Sequence, residues 1–338
     1  MGATPDCYEG RVSLSRLDLG SVQTPVEVAD RLADALGLGP GDLLVKRDDL
    51  LGPGGGGNKV RKLEWTCAEA LAAGADTLVT TGAAQSNHAR LTAAVGARLG
   101  LRVVLVLAGR RRDDAEGNLL LDVLLGAQVV WAGDVDGPGL EAAADRVVTG
   151  LRSEGATPFL VPFGGSSPSS VRGYAAAGDE LAEQVPDVRH VVVALGSGGT
   201  MAGLVSSLGV GRVLGVHCGA VPDPHAAVRR LLSDTPVAHD GLRIRTDQVG
   251  TSYGDLAEPA WQAVLLAGRT EGLVLEPTYT GRALAGLAAA VREGDVRRGE
   301  RTVLVHTGGL PGLFGHQEAR RRLRLGASGD GGTPLPQR

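Results

Sequence analysis

Lys59 stands at the end of Gly54-Gly-Gly-Gly-Asn58, and two more cations, Arg61 and Lys62, follow within one turn. Glycines let a backbone come close to something flat or anionic. The lysine opens a stretch, Val60 to Leu71, that reads as a helix. Like charge nearby lowers an amine's pKa and makes it a better nucleophile, as an imine with an aldehyde cofactor requires. The same residues also read as a solvated basic helix start after a flexible loop. The rest of the chain favours the chemical reading, because it supplies two further helix starts suited to anions.

Gly196-Ser197-Gly198-Gly199-Thr200 follows the apolar run His190–Leu195 and opens a helix at Met201. Free N–H groups and the helix dipole make such a turn an anion cradle the size of one phosphate. It is not a P-loop, since no Gly-Lys-Ser/Thr follows, and no acidic residue sits where a dinucleotide ribose would need one. Gln85-Ser86-Asn87-His88 opens another helix after Thr77–Gly82. Ser86 reads as its N-cap, and capping alone would explain it. Asn87 and His88 add hydrogen-bonding groups at a spot that suits a substrate carboxylate. Tyr279, in Thr278-Tyr279-Thr280-Gly281, reads either as a core tyrosine or as a ring-stacking or proton-donating one. Thr307, after the run Thr302–Val305, either caps a helix or offers its hydroxyl to a ligand nitrogen. The histidines at 190, 217, 225, 239, 306 and 316 show no metal-ligand spacing, so no metal is expected.

Those motifs need a scaffold. The chain has 338 residues, 43% hydrophobic, enough for one large domain or two ordinary ones. Aromatics make up 3%, so Leu, Val and Ala must pack the core. A net charge of -4 argues against a sequence-independent nucleic-acid binder. No apolar run approaches the roughly 20 residues that span a bilayer, and Met1–Gly10 lacks the pattern of a secretory leader. Gly2 imitates a myristoylation start, but Asp6 replaces the required Ser/Thr. Three scattered cysteines, Cys7, Cys67 and Cys218, fit reduced thiols in a cytoplasmic protein. The 52 glycines fall largely at apparent strand-to-helix turns.

Short β-branched runs alternate with alanine-rich helical ones from Thr77–Thr81 to Thr302–His306, with Leu273–Glu276 before Tyr279 and a closing helix near Leu313–Leu323. That alternation predicts an α/β fold with parallel sheets. The strands exceed what one compact sheet holds, so two α/β domains with a cleft between them are expected. Residues 220–270 read as less regular. The tail 326–338 reads as disordered.

Taken together, Gly-Gly-Asn58-Lys59-Val-Arg-Lys62-Leu-Glu, Gln85-Ser-Asn-His88-Ala-Arg90, Gly196-Ser-Gly-Gly-Thr200, Pro277-Thr-Tyr279-Thr280-Gly281 and His306-Thr-Gly-Gly-Leu-Pro-Gly-Leu-Phe314 resemble the fold type II pyridoxal-phosphate enzymes. Within them the chain resembles the D-cysteine desulfhydrase and 1-aminocyclopropane-1-carboxylate deaminase branch, from about Val45 to Gly315. The resemblance implies two open, twisted, parallel-sheet domains of the tryptophan synthase β-like kind, with pyridoxal 5'-phosphate in the cleft. The expected division is 1–58 with 164–325 as the larger, cofactor-binding domain, and 59–163 as the smaller. Lys59 would hold the cofactor and move protons at the substrate Cα. Asn87 would bond the 3'-oxygen, and Gly196 to Thr200 would hold the phosphate with help from Lys62. Ser86, Asn87 and His88 would meet the substrate. Tyr279 would lie against the ring, Tyr253 would be the second active-site tyrosine, and Thr307 would face the ring nitrogen.

Cyclopropane deaminases carry Gln-Ser-Asn-Gln and Tyr-Glu where this chain has His88 and Thr280. Threonine cannot keep the ring nitrogen protonated as glutamate can. The expected reaction is therefore β-elimination from a small amino acid, giving pyruvate, ammonia and sulfide. Cyclopropane deamination, sulfite elimination from cysteate and biosynthetic β-replacement are alternatives, and a binding module without turnover is a further one. The family habit implies a homodimer. The stretch Pro162-Phe-Gly-Gly-Ser-Ser-Pro-Ser-Ser170 follows the family at its Gly-Gly-Ser and then diverges, and 220–250 does not align.

Overall fold

The computed structural model describes residues 16–20, 23–111, 115–233, 235–237 and 240–327. The readings placed on Met1–Gly10, Cys7, His239 and most of the tail lie outside them.

Among the described residues ten strands build two sheets. The first joins β1 (Val26–Val28), β2 (Leu43–Lys46), β7 (His190–Leu195), β8 (Val213–His217), β9 (Arg243–Arg245) and β10 (Thr302–Val305), in the order β1-β2-β10-β7-β8-β9. The second joins β3 (Thr77–Ala83), β4 (Arg102–Ala108), β5 (Gln128–Trp131) and β6 (Pro158–Val161), in the order β5-β4-β3-β6. Every pairing is parallel except β1 with β2, an antiparallel edge absent from the sequence reading. β2 and β9 also went unread. Leu273–Glu276 is no strand, because it is given over to the turn that starts a helix.

Among the described residues twelve α-helices accompany the strands: α1 (Asp30–Leu36), α2 (Lys59–Ala72), α3 (Asn87–Leu99), α4 (Gly117–Leu124), α5 (Gly137–Ser153), α6 (Pro168–Gln184), α7 (Gly199–Leu208), α8 (Pro224–Leu232), α9 (Glu258–Glu271), α10 (Thr280–Glu293), α11 (Leu310–Gly315) and α12 (Gln317–Ala327). The closing helix is thus two, divided at His316, whose extended backbone ends α11. Gly326 and Ala327 close α12 rather than open a disordered tail. α9 gives order to a stretch that read as irregular.

Strand β7 explains the layering. All six of its residues are buried. Val191, Val193 and Leu195 enter one hydrophobic cluster, Val192 and Ala194 another. Side chains alternate across a strand, so both faces of this sheet are covered by helices. The second sheet does the same: Val103, Leu105 and Leu107 face one cluster, Val104 and Val106 the other. Each fully buried Val or Leu contributes about 1.5–3 kcal/mol, so these central strands fix where the loops at their carboxyl ends emerge. Those ends are where open α/β sheets place ligands. The two sheets turn them toward one another.

Candidate active site

A cavity of about 380 Å³ lies between the sheets, and every residue expected at the site lines it except Lys62 and Gly199. Lys59 enters on an unusual approach. Gly54 to Gly57 all have positive φ, and a Cβ on Gly56 would stand 2.2 Å from the Asp49 carbonyl oxygen. None of the four lines the cavity. The flat surface they approach is thus the protein's own backbone, not a ligand as the sequence suggested. Asn58 then donates its N–H to Thr307 O at 3.0 Å and its amide Nδ2 to Thr200 Oγ1 at 3.0 Å. Lys59, the first residue of α2, is thereby pinned between the end of β10 and the start of α7. It keeps part of its surface open to the cavity.

Burial lowers the Lys59 amine to about 8. The sequence reading credited the neighbouring cations, and this needs correction. Arg61 sits roughly 200° round the helix from Lys59 and turns away to Asp48 and Glu180, at 3.1 and 2.9 Å. Lys62 does share the face of Lys59. It is fully buried and donates to Gly164 O at 2.5 Å and Ser166 Oγ at 2.9 Å. Burial, then the charge on Lys59, holds Lys62 well below its ordinary value. Its ammonium stands behind the anion cradle rather than on the cavity wall.

The cradle is the start of α7. Gly198, at φ +94°, caps that helix with no side chain, which leaves its first N–H groups open. A Cβ on Gly199 would lie 2.5 Å from Ser166 Oγ and 3.3 Å from Lys62 Nζ. Ser166 in turn bonds Ser197 Oγ at 2.7 Å. The segment 164–166, at the end of β6, therefore braces the cradle from the opposite sheet.

The β3–α3 turn supplies Ser86, Asn87 and His88. Ser86 caps α3, accepting from Ala89 N at 3.1 Å, and its own proton is left to donate. Capping and cavity lining coincide in one residue. His88 behaves differently from expectation. Thr80 gives its only hydroxyl proton to Val161 O at 2.9 Å, so His88 Nε2, 2.8 Å from Thr80 Oγ1, must be the donor of that pair. The other nitrogen, Nδ1, is buried without a partner. Burial, then Lys62 and Lys59, keep this ring neutral. The Nδ1 lone pair is buried beside Gly165, where a Cβ would lie 3.2 Å from it, and the ring has no N–H left to donate to a carboxylate.

Tyr253 and Tyr279 share a hydrogen bond of 2.6 Å between their hydroxyls, with rings edge to face at 5.9 Å. Tyr279 packs on Gly196, where a Cβ would come within 3.0 Å of its ring. Burial pushes Tyr253 up to about 12, so the pair stays protonated at neutral pH.

Four residues behind the wall were not read from the sequence as functional. Arg282 of α10 is fully buried and donates to the carbonyls of Cys218, Ser252, Tyr253 and Asp255, which fixes the Tyr253 loop. Glu276 accepts the N–H groups of Thr278, Tyr279 and Thr280, at 2.8, 2.7 and 2.9 Å, and so caps α10. Thr280 Oγ1 is held there too, accepting from Glu276 N at 2.9 Å, and does not line the cavity. Asn118 and Arg90 stand behind Asn87. Arg90 was visible inside a motif, but only a contact partner could have revealed its task.

A family model described as "Pyridoxal-phosphate dependent enzyme" matches residues 17–308. The chain is 37% identical over 321 residues to a D-cysteine desulfhydrase of Klebsiella pneumoniae subsp. pneumoniae, covering 89% of this chain and 96% of that protein. It is 36% identical over 324 residues to a Pyrococcus abyssi protein named "Putative 1-aminocyclopropane-1-carboxylate deaminase", covering 91% and 96%. A solved structure, "Crystal Structure Analysis of the ACC deaminase homologue", superposes with a TM-score of 0.80 at 34% identity, over 90% of this chain and 94% of that one. Threonine deaminase isoform 2 of Solanum lycopersicum, at 19% identity and a TM-score of 0.59 over 86% and 80%, shares the fold.

The cofactor is therefore pyridoxal phosphate, and the residues present fit it. Lys59, Lys62 and His88 crowd one end of the cavity, and among the described residues that line it none is Asp, Glu or Arg. A phosphate on the α7 cradle would relieve that imbalance, and the side-chain-free Gly198 and Gly199 leave room for its oxygens.

Proposed function

From the premise that the chain belongs to the pyridoxal-phosphate dependent enzyme family, we propose that it is a carbon–sulfur lyase of the D-cysteine desulfhydrase kind. The observation that carries this reading is a cavity with one depressed amine, two protonated tyrosines and no carboxylate on its wall. Bound pyridoxal phosphate supplies a sink for electrons released at the substrate Cα. Lys59 would hold its aldehyde carbon through Nζ, Ser197 to Thr200 its phosphate, Asn87 its 3'-oxygen and Thr307 its ring nitrogen. Ser86 Oγ donates to the substrate carboxylate. Once the substrate's own amine has displaced it, Lys59 Nζ is free to take the Cα proton, a task that suits an amine poised near 8. The Tyr253–Tyr279 pair gives a proton to the departing sulfur.

The relatives named for cyclopropane deamination keep that reaction in view. It is the weaker reading here, because Glu276 is engaged by three backbone N–H groups and Thr280 is turned to it. Among the described residues no Asp or Glu lines the cavity to charge the ring nitrogen. Cysteate fits less well, since its sulfonate would find no arginine on the wall. Purified protein offered D-cysteine, L-cysteine, cysteate and the cyclopropane acid should form pyruvate fastest from a cysteine. Lys59→Ala should fold and form none, and turnover retained without added amine would refute the assignment.

We propose also that 59–163 forms the smaller domain beside 1–58 with 164–325, and that the protein works in the cytoplasm, where Cys67 and Cys218, buried thiols pushed to about 12, stay reduced. A homodimer would cover the apolar face that Leu120, Val123 and Leu124 of α4 form beside Leu310 and Phe314 of the adjoining α11. Sedimentation should return twice the chain mass, and a single-chain mass would remove that proposal.

A further inference from the structure

We propose that Asn118, itself oriented by Arg90, is a positioning residue that sets which way the Asn87 amide faces. The inference rests on the role proposed above for Asn87. Arg90 is fully buried, and its Nε lies 2.8 Å from Asn118 Oδ1. A guanidinium has no acceptor, so the Asn118 oxygen must face it. Both hydrogens of Asn118 Nδ2 then point the other way, to Gln85 O at 3.0 Å and to Asn87 Oδ1 at 2.9 Å. Asn87 is left with its oxygen engaged and its NH₂ free. That NH₂ faces the Gly309 side, where a Cβ would lie 3.1 Å from it, and Asn87 lines the cavity together with Thr307. An asparagine amide turned over would offer an oxygen to an oxygen. The arginine removes that choice two residues upstream in the chain of bonds.

Arg90 has a second task that ties the device to the catalytic lysine. Its two terminal nitrogens donate to Gly54 O and, at 3.0 Å, to Gly56 O, in the loop that delivers Lys59. Asn118 is held in place in turn, since its N–H donates to Gln85 Oε1 at 2.9 Å and Gln85 Nε2 donates to Glu116 O at 2.9 Å. One arginine therefore fixes both the approach of the amine and the polarity of the donor aimed at the 3'-oxygen.

The test is a double-mutant cycle on cofactor-loaded protein. Asn118→Asp keeps the size and the acceptor for Arg90 but has no hydrogens for Asn87, so the Asn87 amide should turn over. Two readouts apply: cofactor affinity by equilibrium dialysis, and the pH course of the cofactor's visible absorption. Asn118→Asp should weaken cofactor binding about tenfold, the size of one hydrogen bond to a charged oxygen, and should alter the absorption course as Asn87→Ala does. In an Asn87→Ala background it should add less than twofold. Asn118→Ala, with folding followed by circular dichroism, repeats the cycle should the aspartate disturb α4. Equal effects of the 118 substitution in both backgrounds would overturn the inference, as would no effect in either. If Asn87→Ala alone changes neither readout, the role of Asn87 falls, and the inference with it. Asn87→Ala effective but uncoupled to 118 removes only the inference.

Discussion

Two faces of α2, one residue apart in sequence, treat charge in opposite ways. On one, Arg61 meets Asp48 and Glu180, Lys46 also donates to Glu180, and Tyr174 gives its hydroxyl proton to Asp48 at 2.6 Å as Thr24 does at 2.7 Å. Two cations face two carboxylates, and every oxygen has a donor. On the other, Lys59 and His88 on the cavity wall gather with Lys62 behind it, and among the described residues no carboxylate lines that wall. The first face holds helices and strands together. The second stays short of negative charge until a ligand brings it. A buried ion cluster is complete or costly, so an incomplete one marks where something binds.

The largest effect should come from breaking the complete side. Arg61→Met leaves Asp48 and Glu180 buried with Lys46 alone, and should cost about 3–5 kcal/mol in urea unfolding. A loss under about 1 kcal/mol would mean the cluster is no anchor. Next comes Asp122, behind the incomplete side near Arg90, with both carboxylate oxygens buried and unpartnered. Burial raises it from 3.8 to about 7. The native state therefore keeps a proton that the unfolded chain has released, so its contribution weakens stability as pH rises from about 4 to 7. Asp122→Asn should remove that slope and stabilise the protein at pH 8 by about 2–4 kcal/mol relative to its effect at pH 4; a variant parallel to the parent across that range would count against it. The smallest effect is expected at Lys62. Its pKa is depressed, so its contribution is adverse at neutral pH and vanishes only above the unfolded value. Lys62→Met should raise the stability of cofactor-free protein by about 1 kcal/mol while weakening cofactor binding. A fall as large as that for Arg61→Met would erase the contrast between the faces.

Much of this was legible in the chain. The run Val191-Val-Val-Ala-Leu195 reads as a strand covered on both faces, and it divides its side chains between two cores. The motifs at Ser86, Ser197 and Thr307 do converge on one cavity, because each follows the carboxyl end of a strand that faces it, while Tyr279 reaches the same cavity from the irregular run 272–279. What stayed hidden depended on partners far away in sequence. Nothing local shows that Arg61 leaves the site while Lys62 remains; the helix period decides it. Nothing near Asn118 announces Asn87, 31 residues earlier. The left-over lone pair of His88 follows only from Thr80 having spent its proton on Val161. β2 was missed because its buried run ends in Lys46, a charge whose partner Glu180 lies 134 residues away.

The loop before Lys59 has a consequence for how this chain can change over generations. At Gly56 the space for a side chain is taken by a carbonyl 2.2 Å away, with φ at +75°. In a library holding every substitution, that codon should return almost no survivors. Drift and invention are left to segments such as 220–250, and the doorway to the lysine is inherited whole.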